Sequence, residues 1–280
     1  MKIIFNFSII CADPFLFGTW DVVSTLKRKI YPYGIQYLPS NSLYEGSPRN
    51  RNEKPGDKTQ YEMRFFSSSN KNVVKSNLNN DRNDINKDYE VPINIDLDQS
   101  ISDLKIIADR SFNAKSLNFA YKQLSQVEDV IWDYTKDPTR LTLQFGTLGE
   151  DMQPLGERRG EVYINSRRSE VGTDPNTNEA IFCAAERLRS VVLVPGDVIV
   201  SDTETITEYR VIDGSDGNHV KAMSRIAVYL TPNPNSREGL LWQNVGGKAV
   251  AFFDYDVDLR RKLSNSRPFV TSSKGFSQVG

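Results

Sequence analysis

Between positions 249 and 259 every second residue is apolar or aromatic: Ala249, Ala251, Phe253, Tyr255, Val257 and Leu259. The opposite parity carries Asp254, Asp256 and Asp258. Side chains alternate across a strand, so this stretch reads as a β-strand with one face buried and the other wet. Upstream the same alternation of strand and turn repeats. Strand-like runs occupy residues 127–134, 140–145, 161–171, 181–194, 198–212 and 220–230. They are divided by Asp137-Pro138, a Gly-rich connection at 146–160, Asp174-Pro175-Asn176, Pro195-Gly196-Asp197, the turn at 213–218 and Pro232-Asn233-Pro234-Asn235. No helices alternate with these runs, which argues against a parallel sheet and for an antiparallel meander closing into a barrel or sandwich. Short connections favour pairing between sequence neighbours. Roughly eight to ten strands are expected, a barrel size able to hold a small ligand.

The amino-terminal half is less regular. Residues 15–33 hold the first strong strand pattern, rich in β-branched and aromatic residues, and residues 59–66 form another. Residues 39–100 otherwise read as a long loop insertion, polar and Asn-rich at 67–90, with an edge strand expected at 91–97. The 67–90 tract holds too few apolar side chains to offset the entropy of ordering it. Residues 114–123 are expected to be the single helix, capped by Asn113, with Leu117, Ala120, Tyr121 and Leu124 at helical spacing. Residues 1–12 carry one positive charge and a short apolar run before Ala12, which fits either a targeting leader or a buried terminal strand. One barrel domain over 13–262 and a C-terminal tail over 263–280 complete the expected organisation.

Composition removes several functions. The 280 residues include 35 basic and 36 acidic side chains, a net charge of -1, which speaks against nucleic-acid binding. One histidine and two cysteines leave no basis for a zinc site or a disulfide scaffold. No apolar run is long enough for a transmembrane helix, so membrane contact would be peripheral. Neither a P-loop nor a dinucleotide fingerprint is present. A Gly-x-Ser-x-Gly elbow is missing as well, so His219 reads as a turn-edge residue. The turn at 213–218 is not an EF-hand, because Ser224 stands where the twelfth-position Glu belongs. Cys183 lies in an apolar strand and reads as structural, with thioether attachment to a bilin as the sharper alternative.

Polar residues inside the strands are the candidate ligand contacts. One face of the strand at 161–171 carries Tyr163, Asn165, Arg167 and Ser169, and the other carries Val162, Ile164, Ser166 and Arg168. Glu186 and Arg187 lie in the next strand, Tyr209 and Arg210 in the one after. If they point inward, Arg168, Arg187 and Arg210 are placed to grip a carboxylate with paired donors. The competing reading puts these charges outside, in cross-strand pairs. Arg110 sits where a strand gives way to the helix, at a ligand gate or within a cap.

Gly18-Thr19-Trp20 opens the first strand. In lipocalin-type barrels a Gly-x-Trp begins the first strand, and its Trp plugs the closed end beneath an Arg of the last strand. Here that Arg is Arg260 or Arg261, with Arg260 as the expected closing residue alongside Gly18 and Trp20. The chain resembles an uncharacterised lipocalin-like group from cyanobacteria and plastids. The resemblance is carried by residues 18–22, 107–117, 137–142, 203–210 and 227–232, and spans most of 15–260 outside the insertion. It implies an all-β, up-and-down lipocalin-like barrel working in a plastid at the thylakoid, in stroma or lumen. The expected function is non-catalytic binding of an apolar or tetrapyrrole-like molecule; a tetrapyrrole, a carotenoid and a lipid all fit. The first alternative is an assembly subunit of a photosystem or antenna complex, contacting partners through 39–100 and 263–280. The second is a chromophore lyase, for which the sequence offers no catalytic constellation.

Overall fold

A computed structural model describes residues 12–38, 53–68, 105–121, 127–146, 158–194, 196–212, 214–233 and 237–262. The edge strand expected at 91–97, the polar tract at 67–90 beyond Ser68, residues 1–11 and the tail from 263 lie outside these. Ten strands form one antiparallel sheet: β1 Gly18–Ile30, β2 Lys58–Ser67, β3 Ile106–Ala108, β4 Val127–Ile131, β5 Arg140–Phe145, β6 Arg159–Thr173, β7 Ala180–Val194, β8 Asp197–Val211, β9 His219–Tyr229 and β10 Ala251–Arg261. Their spatial order is β3-β2-β1-β10-β9-β8-β7-β6-β5-β4, so the first long strand pairs with the last and the sheet curls into a half-barrel. The all-β, barrel-like fold read from the sequence is therefore the observed one.

From Ala251 onward the alternating run sits as its parity requires; just before it the parity breaks, with Val250 buried and Ala249 half-buried. Ala251, Phe253, Tyr255, Val257 and Leu259 are buried on the concave face, while Asp254, Asp256 and Asp258 face outward. Trp20, Val22 and Leu26 from β1 and Val220, Ala222 and Val228 from β9 join them in the main core. Across the barrel a smaller core gathers Val130, Leu141 and Ile164.

Among the described residues two α-helices are present, not the one expected. Helix α1 spans Arg110–Ala120 and starts earlier than the sequence pattern suggests. Its cap is Asp109, whose carboxylate accepts from Phe112 N at 3.0 Å. Asn113, the expected cap, is engaged elsewhere. Its Oδ1 accepts from Arg64 N at 2.7 Å and its Nδ2 donates to Arg64 O at 3.2 Å. Helix α2, Arg237–Val245, follows directly on a Pro/Asn turn signal that masks it, and holds only nine residues. It covers the end of β9 and the start of β10, where Val245 packs with Leu230 and Val250.

The sheet ends in β3 and β4, but β3 covers only Phe65–Ser67 of β2, and α1 lies in the seam between the uncovered part of β2 and β4. On one side Ser116 Oγ accepts from Glu62 N of β2 at 2.8 Å, beside the Asn113 pair to Arg64. On the other side Ser111 Oγ donates to Val130 O at 2.8 Å, and Asn118 Oδ1 accepts from Val127 N at 3.0 Å. Side chains of one helix thus satisfy backbone groups on both edges, in place of a ladder between strands. β2 lies inside the region read as an insertion and pairs with β1 from Gly18↔Phe65 to Thr25↔Lys58. The region read as an insertion therefore contains an integral strand of the sheet.

Candidate functional site

The base of the barrel is organised by Trp20 and Arg261, not Arg260. The two are cross-strand partners, and the Arg261 guanidinium lies 4.3 Å from the Trp20 ring centroid. Trp20 is fully buried, and its Nε1 donates to Leu16 O at 2.8 Å. Arg261 donates to Phe15 O at 2.9 Å, to Gly217 O at 3.1 Å and to Phe17 O. Burial lowers its pKa from the ordinary value. Gly18 makes room for it: φ is +113°, and a Cβ there would stand 2.8 Å from Arg261 Nη1. Arg260 has the opposite parity, stands across from Asp21 and pairs with Asp258 at 3.3 Å with its side chain largely in solvent.

Register places the remaining candidates. Between Ile164 and Ser166 β6 carries a bulge: Ile164 faces Leu188, whereas Ser166 faces Arg187. The extra residue reverses parity beyond it. Inward positions therefore run Val162, Ile164 and then Arg167, opposite Glu186 of β7. Tyr163, Asn165 and Arg168 are exposed, and Arg168 pairs with Glu170 on the outer surface. Arg187 also faces out, stacking at 4.9 Å on Tyr229. Burial and the hydrogen bond to Glu204 at 2.7 Å push the Tyr229 hydroxyl up to about 12. Arg210 is bound outside by Asp174 at 2.6 Å and Glu208 at 2.7 Å. None of the three arginines expected to grip a carboxylate points inward.

What the interior holds instead is a polar cluster spanning α1 to β7. Arg110, projecting from the first turn of α1, forms a two-pronged ion pair with Glu186, one arm at 3.0 Å. Arg167 lies beside it. Neither Nη1 nor Nη2 of Arg167 has a hydrogen-bond partner, and both are shut off from solvent. Burial lowers its pKa, the Arg110 charge lowers it further, and Glu186 works in the other direction. Tyr209, partly exposed and packed against the main core, has a hydroxyl raised by burial and by Tyr61 and Glu186. Thr207 Oγ1 and Ser224 Oγ hydrogen-bond at 2.9 Å on the same wall. Higher in the barrel Glu53 accepts from Tyr255 at 2.8 Å and Tyr121 at 3.0 Å. Of the residues expected at a ligand site, Trp20, Arg110, Glu186 and Tyr209 lie inside. Arg167, Tyr61 and Glu53 are interior residues the sequence reading does not single out; strict period-two counting misplaces Arg167 because it cannot register a bulge.

Several chemistries find no support in this geometry. His219 Nε2 meets Asp258 at 2.8 Å, but the Ser215 hydroxyl donates to the carbonyls of Ile212 and His219 and does not meet the ring. Among the described residues no group of His, Cys, Asp and Glu is arranged to hold a metal ion. No helix among them is long and apolar enough to cross a membrane. Cys183 faces outward, opposite Glu208 and Glu170, and burial raises its thiol.

No curated protein and no solved structure matches the chain. A family model does, over residues 14–263, from the turn that precedes Trp20 to just beyond Arg261. The match takes in every strand described above, and the chain belongs to the family described as "Domain of unknown function (DUF6816)".

Proposed function

We propose that this protein is a non-catalytic binding barrel that holds a small amphipathic molecule, apolar or tetrapyrrole-like, against the inner wall of β7 and β8. The proposed setting is a plastid, a point that rests on the sequence resemblance alone. The observation that carries the reading is an uneven interior. On the β1–β10–β9 side the inward side chains are large and buried: Trp20, Leu26, Phe253, Tyr255 and Leu259. On the β7–β8 side Phe182 is buried and stacks on Tyr209, but the other apolar and hydroxyl side chains that point inward, Ala184, Leu188, Thr203, Thr205 and Thr207, keep partial solvent access. A small-molecule site needs this combination of a firm apolar floor and an accessible wall with a few convergent polar groups.

The test is direct. The purified native protein is extracted and its absorbance spectrum recorded, and melting curves are taken with added fatty acid, carotenoid and bilin. A bound ligand raises the melting temperature in proportion to its concentration above the dissociation constant. Absence of any co-purifying pigment or lipid, together with melting curves indifferent to every addition, rejects the reading.

A further inference from the structure

Above the barrel base, one interior guanidinium, that of Arg167, has terminal nitrogens that no described residue engages. Arg110 and Glu186 neutralise one another through their two-pronged pair. Glu53, the other inward carboxylate of this region, is engaged by the hydroxyls of Tyr121 and Tyr255. Arg167 stands opposite Glu186 in the β6–β7 register, with both terminal nitrogens unpartnered and out of solvent. A guanidinium is a planar fork shaped for a carboxylate or phosphate, and leaving its donors unsatisfied costs free energy. Two guanidiniums thus stand beside one carboxylate, Glu186, whose two oxygens are already taken by Arg110, so an anion that meets Arg167 supplies the partner its donors lack.

We infer that Arg167 is the docking point for the head group of a monoanionic amphiphile, a long-chain monocarboxylate, whose tail runs from there along Ala184 towards Phe182. This deepens the binding-barrel reading and rests on it. The inner β7 residues supply an apolar track on the same face as Glu186: Leu188 on one side, Ala184 and then buried Phe182 on the other. A second negative charge on the ligand would meet the Glu186 carboxylate with no cation left to receive it. The site thus disfavours a dicarboxylate tetrapyrrole and offers a neutral carotenoid nothing at Arg167.

The test uses the full chain and three probes: palmitate, hexadecanol of the same chain length, and biliverdin with its two propionates. Dissociation constants are measured by calorimetry for the natural protein, Arg167→Gln and Arg187→Gln, the last altering a cation on the outer face. Palmitate is expected to bind at least about tenfold more tightly than hexadecanol, as the charge-assisted pair requires. That preference vanishes in Arg167→Gln and survives in Arg187→Gln. Biliverdin binds more weakly than palmitate. Without ligand, Arg167→Gln melts at the same or a higher temperature, because an uncompensated buried charge has been removed. Equal binding of palmitate and hexadecanol to the natural protein overturns the inference and leaves the barrel reading standing, and it needs no variant. Tighter binding of biliverdin, or a marked loss of stability in Arg167→Gln, also overturns it. If none of the three probes binds, the inference falls, and the extraction spectrum and the carotenoid melting curves decide the barrel reading separately.

Discussion

Adjacent residues at the end of β10 have very different consequences if the barrel base is built as described. Replacing Arg261 by Ala removes the cation over Trp20, worth about 1–2 kcal/mol when largely desolvated. It also removes three charge-assisted bonds to the carbonyls of Phe15, Phe17 and Gly217, each worth about 1.5 kcal/mol. Against this stands the desolvation of a guanidinium that has no carboxylate partner among the described residues, which offsets part of the loss. The net cost expected is about 3 kcal/mol, or a drop in Tm of roughly 6–12 °C for a domain of this size. Arg260→Ala loses only an exposed pair with Asp258 and costs at most about 0.5 kcal/mol. Urea unfolding of both variants measures the contrast. A double-mutant cycle with Trp20→Phe should return a coupling of about 1 kcal/mol to Arg261 and none to Arg260. Equal destabilisation by the two alanine variants would refute the assignment of the closing arginine, and with it the register of β1 against β10.

Two further predictions concern the seam and the outer face. Asn113→Ala and Ser116→Ala strip acceptors from the Arg64 and Glu62 amides, so each should cost about 1–2 kcal/mol. Hydrogen exchange should quicken at those two amides while Val220 and Leu259 keep their protection; unchanged exchange at β2 would show that α1 does not seal that edge. Arg225 and then Arg28 hold the Asp254 carboxyl at about 2, below its ordinary value of 3.8. A depressed carboxyl contributes its stability above the unfolded value and loses it as pH falls towards the folded one. The full drop corresponds to about 2 kcal/mol. The partly exposed arginines screen it to about 1 kcal/mol, lost between about pH 4 and 2. Asp254→Asn should flatten that part of the acid-unfolding profile, and an unaltered slope would remove Asp254 as its source.

Strand positions are legible in the sequence because their physics is local. The Asp254-Asp256-Asp258 parity and the turn signals need only neighbouring residues to be read. Long-range satisfaction is not legible. Asp109 outcompetes Asn113 as the cap because Asn113 is needed by Arg64 across a gap of 49 residues. Periodicity within the helix carries no trace of that demand. The ligand candidates fail for a similar reason. One extra residue between Ile164 and Ser166 exchanges Arg168 for Arg167 on the inner face, and nothing in the composition of Ile164-Asn165-Ser166-Arg167-Arg168 announces it. Arg187 and Arg210 lie outside because partners there, Tyr229 and Asp174, already satisfy them, and those partners are distant in the chain.

The seam and the uneven interior are connected. Ten strands curl around a wider interior than the roughly eight whose side chains can fill the middle. Trp20, Phe253 and Tyr255 fill the space beneath β1 and β10, and Phe182 with Tyr209 closes one end of the opposite wall, but Ala184, Thr205 and Thr207 of β7 and β8 and Ser224 of β9 are too small to fill the rest. A direct β2–β4 ladder would draw the opposite walls together and remove the reason for small side chains. With α1 placed between those edges, Arg110 instead reaches across to Glu186 and fixes the separation with an ion pair. A purely structural spacer would need only that pair. The neighbouring Arg167, inward and with unpartnered terminal nitrogens, adds a cost that packing does not explain, and under the proposed binding reading an anionic guest would convert that cost into affinity.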